Sequence, residues 1–237
     1  MLTRLTSIAL LATAPLCATW SLGIVDPKTK TIAIAAASCS PSVYGVGGVV
    51  PGIGFVFAQA ASNMRAKNEA MEAMRRGTPL ADILKRITSA EFDSDAAEQQ
   101  YALLTIAEIG KPLTFTGNQT PEWRGVRSSK GISVQGNTLV GANVADAAYQ
   151  ALVQGAWESD AELAGVAMAA LAAGSRAGGD RRCGESTASS AFLTVMRASD
   201  DPAAPFINLI IRGLRPNSQN AVDLLAGKFR EWLQQKR

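Results

Sequence analysis

The stretch "TWSLGIVDPKTKTIAIAAAS", Thr19 to Ser38, constrains the fold of this chain more than any other. Trp20, Leu22 and Ile24 recur at period two on one face, while Thr19, Ser21 and Gly23 occupy the other. "DPKTK" is a polar turn with Pro27 preset for its second position, and "TIAIAAAS" returns as a second strand. Residues 19–38 are therefore predicted to form a β-hairpin. Whatever follows must build on an antiparallel sheet.

The rest of the chain alternates blocks of strands with blocks of helices. "CSPSVYGVGGVVPG" reads as a bent strand and turn; Val50 stands where a dinucleotide loop needs glycine, and no P-loop lysine follows. "IGFVFAQA" is a strand running into the helix "SNMRAKNEAMEAMRRG", which Gly77 ends. "TPLADILKRITS" is a second helix, with Thr78 as cap and Pro79 at its first position. "FDSDAAEQQYALLTI" reads as a helix and then a strand, and "LTFTG" as a short strand. "RGVRSSKGISVQGNTLV" is loop and strand. Residues 143–173 hold two alanine-rich helices, which must pack closely against another element or another copy of the chain. "GSRAGGDRRCGES" is a flexible-looking glycine-rich loop. Strands "SSAFLTVM" and "FINLIIRG" and the helix "NAVDLLAGKFREWLQQK" complete the sequence. Hairpins and paired helices favour an α+β fold over a doubly wound parallel sheet. No linker divides residues 19–237, which read as a single domain.

Residues 1–18 read as a secretory signal. "MLTR" supplies a positive start, "LTSIALLATAPL" a short apolar run and "LCA" a small residue before cleavage after Ala18. The apolar run is too short for a stable membrane span, and none is expected after cleavage. An exported protein, periplasmic or secreted, is the expectation. Loss of Cys17 with the signal would leave Cys39 and Cys183, either joined by one disulfide or as two separate thiols.

The 237 residues include no histidine, which removes Ser-His-Asp and Cys-His catalysis, histidine-ligated zinc and any histidine base. A net charge of +3, with no basic cluster interleaved with aromatics, argues against nucleic acid as a partner. No metal or organic cofactor is implied.

Three constellations remain. Thr19 would become the first residue of the mature chain, and its own α-amine, with a pKa of about 7.7–8.0, could serve as base. Alternatively it is merely where the mature chain begins. Gln135 and Asn137 alternate on one face of "SVQGN", suited to stabilising an oxyanion or to an ordinary turn. "GGDRRCGES" gathers Asp180, Arg181, Arg182, Glu185 and Ser186, able to bind an acidic group, to orient an amine, or simply to form a solvated loop.

"TWSLGIVDPKTKTIAIAAAS", "VVPGIGFVFAQA", "GISVQGNTLVG" and "GGDRRCGESTASSAFLTV", in this order and spacing, resemble a bacterial family of Ntn-hydrolase-like proteins. That family is a domain of unknown function in the N-terminal nucleophile hydrolase superfamily. The resemblance implies a four-layer αββα sandwich, two stacked antiparallel sheets between helical layers. It matches Thr19 to the nucleophile, with Ser21 following on its face, Gln135 and Asn137 to the "SVQGN" motif, Asp180, Arg181 and Arg182 to the basic loop, and Ser186 to its closing serine. Here Cys183, Gly184 and Glu185 replace the family's glycine, charged residue and glutamine.

The function expected is hydrolysis of an amide-type C–N bond in a small-molecule or peptide-like substrate. Thr19, Asn137, Asp180 and Ser186 would be catalytic, and Ser21, Ser38, Gln135, Arg181, Arg182 and Glu185 would line the substrate site. One alternative is a non-catalytic ligand-binding protein that has kept the fold. Another uses Ser38 or Ser186 as nucleophile with a lysine base, such as Lys28 or Lys30.

Overall fold

The computed structural model describes residues 19–215 and 218–236. The predicted signal at residues 1–18 lies outside the described residues.

Two antiparallel sheets carry the fold. Thr19–Val25 (β1) and Ile32–Ser38 (β2) form the expected hairpin, paired Trp20 to Ala37 through Val25 to Ile32. β1 also pairs with Ile132–Asn137 (β8), which itself hairpins with Gly125–Ser129 (β7). β2 pairs with Ser190–Met196 (β9), and β9 with Ile207–Ile211 (β10). The order is β10-β9-β2-β1-β8-β7, so β1 is an interior strand. The second sheet has the order β3-β4-β5-β6, built from Gly47–Val50 (β3), Gly54–Ala60 (β4), Gln99–Thr105 (β5) and Leu113–Thr116 (β6).

Three apolar clusters explain how the elements pack. Trp20, Leu22 and Ile24 point from β1 into a cluster with Ala142–Gln154 (α3), Asp160–Arg176 (α4) and Ala221–Gln235 (α5). Ile32, Ile34, Phe55, Phe57 and Phe192 fill the space between the sheets. Val56, Ala58, Tyr101 and Leu103 face Met64–Arg75 (α1) and Leu80–Ile87 (α2). Every residue of β1 and β2 is buried, because both faces of this sheet are covered. Where Gly23 meets the second sheet, a Cβ would sit 2.5 Å from the Phe55 ring. Only glycine lets the sheets approach so closely there.

Two local expectations are overturned. Residues 92–98 form no α-helix, only turns and a short 3-10 segment at Ala96–Glu98. The Asp93 carboxylate accepts from the Asp95 N–H and from Asn63 Nδ2, so side-chain bonds compete with helical ones. Helix α2 begins at Leu80, with Pro79 rather than Thr78 at its cap position. Its first N–H is taken by Glu108 Oε1 at 2.9 Å, an acceptor distant in sequence.

Candidate functional site

At one end of the six-stranded sheet, β1 begins, β2 and β8 end, and β9 begins. Thr19 stands opposite Asn137 in the β1–β8 ladder, and Ser38 opposite Ser190 in the β2–β9 ladder. The loop 178–187 closes over this end. Thr19, Ser21, Ser38, Gln135, Asn137 and Asp180 are all fully buried. Since Trp20 points outward to α4, Thr19 and Ser21 face the second sheet.

A buried polar seam runs between the sheets. Ser21 Oγ donates to Gln59 Oε1 on β4 at 2.6 Å and accepts from Gln135 Nε2. Ser133 Oγ donates to Gln135 Oε1 at 2.7 Å. Gln59 Nε2 donates to Gln100 Oε1 on β5 at 2.8 Å and, more weakly, to the Thr19 carbonyl at 3.5 Å. Asn137 Nδ2 donates to the same Gln100 oxygen at 3.2 Å, while Gln100 Nε2 reaches the Gly136 carbonyl at 3.1 Å. Buried amides stay only when their hydrogen bonds are made, so the seam fixes the register of four strands around Thr19.

The sequence motif "SVQGN" supplies half of this seam. Gln59 and Gln100 supply the other half and were not singled out in the sequence. Their signal was present: Gln59 interrupts the apolar strand "FVFAQA" near its end, and Gln100 stands at the start of "QQYALLT", both at positions the tertiary structure buries.

The loop 178–187 is tethered at several points. Cys39 and Cys183 form a disulfide that ties it to the end of β2. Asp180 Oδ2 accepts the Cys39 N–H at 2.6 Å and Arg182 Nη2 at 2.8 Å; Oδ1 accepts the Arg182 N–H and Nε at 3.0 and 3.1 Å. The pair is bidentate, and the carboxylate is satisfied on both oxygens. The Arg181 N–H donates to the Thr138 carbonyl at 3.3 Å, joining the loop to the end of β8. Gly179 has φ +58, and a Cβ there would lie 3.0 Å from the Trp20 ring and 2.8 Å from the Thr187 carbonyl. That turn needs glycine to lay the loop on Trp20.

The two arginines are thus unequal. Arg182 is held on Asp180, whereas the Arg181 side chain is exposed and forms no ion pair among the described residues. Ser186 Oγ donates to the Cys183 carbonyl at 2.9 Å, and Glu185 is exposed beside it, lining an open cleft with Ser186, Ser218 and Asn220. Ser38 Oγ donates to Ser40 Oγ at 2.9 Å.

The structure does not bring Ser38 together with Lys28 or Lys30. Lys28 and Lys30 lie in the β1–β2 turn, at the opposite end of β2 from Ser38. Seven residues of strand at about 3.3 Å each put roughly 20 Å between them. Among the described residues no cluster of three His, Cys, Asp or Glu has the arrangement of a metal site. No helix among them is long and apolar enough to cross a membrane.

These features define a class: an α+β protein of two antiparallel sheets with helices, whose interior strand β1 carries a threonine opposite Asn137 beside a polar seam. The chain belongs to DUF1028, a family of unknown function, which matches residues 19–220. A crystal structure of a DUF1028 protein from Silicibacter pomeroyi superposes with a TM-score of 0.74 at 24% identity, covering 90% of this chain and 85% of that one. At that identity the likeness speaks for the fold. No curated protein matches the chain.

Proposed function

We propose that the chain is an exported N-terminal nucleophile hydrolase with αββα layering, acting on an amide-type C–N bond. Signal cleavage after Ala18 frees the Thr19 α-amine. That amine takes the proton from Thr19 Oγ as the oxygen attacks the substrate carbonyl. It then delivers the proton to the leaving nitrogen, so the C–N bond breaks and an acyl ester on Thr19 remains. Water, deprotonated by the same amine, hydrolyses the ester and restores the threonine. Asn137 Nδ2 or nearby backbone N–H groups stabilise the oxyanion. Asp180 and Arg182 position the loop, leaving the Arg181 guanidinium to meet an anionic part of the substrate.

The observation that carries this reading is Thr19 itself. It lies in an interior strand, faces the inter-sheet seam opposite Asn137, and belongs to a sequence without histidine. A second reading, a binding protein that has kept the fold, draws support from the side-chain amides of Gln135 and Asn137, which donate to the protein's own oxygens.

N-terminal sequencing of the exported protein tests the first requirement, which is a mature start at Thr19. Wild type and Thr19→Ala are then compared across a broad set of amide substrates. The hydrolase reading expects activity that Thr19→Ala abolishes. A different start, or equal residual activity in both proteins, sinks the mechanism and favours the binding protein.

A further inference from the structure

A second built site lies away from the polar seam. Helix α1 packs on β3, the edge strand of the smaller sheet, and on β4, while the short turn Tyr44–Val46 before β3 touches both α1 and β9. Beside this turn is a cavity of about 280 Å³ whose lining includes Gly45, Gly47, Lys67, Met71, Phe192 and Met196. None of the seam residues lines it.

Lys67 is the unusual member. Its side chain runs over Gly48, where a Cβ would lie 3.5 Å from Lys67 Cδ and 2.5 Å from Met71 Sδ. The residue is only 9% exposed. Its ammonium donates to the Gly45 carbonyl at 2.7 Å and reaches the Gly47 carbonyl at 3.5 Å. Among the described residues no carboxylate pairs with it. An ammonium has three N–H donors, and neutral carbonyls leave its charge uncompensated. Desolvation accordingly pulls its pKa below the usual lysine value. Lys67 also sits in the first turn of α1, where the helix dipole adds positive potential rather than relieving it.

A lone buried cation in a cavity walled by Phe192, Met71, Met196 and Ile34 has the form of a ligand site: one charged contact to orient, apolar walls to hold. We propose that this cavity binds a small organic monocarboxylate, its carboxylate on Lys67 Nζ and its apolar body against Phe192 and the methionines. The volume suits a single aryl or branched alkyl group. Glycine at 45, 47 and 48 keeps the space open, since a Cβ at Gly47 would meet Ile34 and Phe192 at 2.8 and 3.1 Å.

Titration calorimetry of the whole protein with phenylacetate and, in parallel, the isosteric neutral phenylacetamide tests this directly. A charge-assisted contact in a desolvated site is expected to favour the acid by about tenfold or more. Lys67→Met should erase that preference, and its fold is checked by circular dichroism. Asn68 is exposed at the cavity wall, so Asn68→Trp keeps the fold and should weaken the acid by narrowing the entrance. Absence of binding to wild type, equal affinity for acid and amide, an acid preference that survives in folded Lys67→Met, or acid binding unchanged in Asn68→Trp overturns the proposal. Because Lys67 lies outside the Thr19 end, none of these outcomes depends on hydrolytic activity.

Discussion

Removing the disulfide by a Cys39→Ala/Cys183→Ala double substitution should destabilise the protein chiefly through its unfolded state. The two cysteines are separated by 144 residues, and crosslinking a loop of that size removes much of the freedom of the denatured chain. The chain-entropy relation gives about 5 kcal/mol at 25 °C, an upper figure because denatured chains keep residual structure. The native loop retains its second tether, since Asp180 still accepts the residue-39 N–H and still holds Arg182. The loss is therefore expected to be one of chain entropy rather than of loop geometry. Urea unfolding followed by tryptophan fluorescence reads both parts. With m near 2–3 kcal/mol/M for a chain of this size, the midpoint should fall by about 2 M. The m-value should rise, because the uncrosslinked chain exposes more surface. A midpoint drop below about 0.5 M with m unchanged would refute the reasoning, and would mean that the disulfide closes a loop the fold already holds.

Asp180→Ala leaves the Cys39 N–H and the Arg182 guanidinium without their buried acceptor. It should cost about 3 kcal/mol, a fall in melting temperature of roughly 6–12 °C, while Arg181→Ala should change stability by less than about 0.5 kcal/mol. Gly23→Ala drives a methyl into the Phe55 ring and should cost about 1–3 kcal/mol by thermal unfolding, partly recovered when Phe55→Leu is added. Tyr101 is buried and lies beside Asp93, so desolvation first and that charge second push its phenol far above the ordinary value. The native state keeps this proton when the unfolded chain has lost it. Stability is thus fully present below about pH 10 and falls as pH rises beyond it, and Tyr101→Phe should flatten this alkaline decline in denaturation curves recorded between pH 9 and 11.

The main elements were legible because they rest on local chemistry. The β1–β2 hairpin followed from period-two alternation around a Pro27 turn, and the end of α1 from Gly77, which has φ +73. The helix expected near residues 92–98 was misread because a single carboxylate, Asp93, binds both a neighbouring N–H and Asn63, thirty residues back. Thr78 was misread as a cap because the acceptor for α2 is Glu108, in another part of the chain.

The site divides in the same way. Sequence alone determined which chemistries are open: without histidine, the hydroxyl, amide and carboxylate groups of Thr19, Gln135, Asn137 and Asp180 are what the strand end offers. It also brought out the "SVQGN" and "GGDRR" segments as unusual. Only the tertiary structure decided how these groups are shared. It matched Gln135 and Asn137 with Gln59 and Gln100 across the sheets, gave Asp180 to Arg182 while leaving Arg181 exposed, and joined Cys39 to Cys183. The physical reason is range. Alternation, turns and caps are written within a few residues, whereas a buried polar group is satisfied by whichever partner the packing of two sheets brings within about 3 Å, at any distance along the chain.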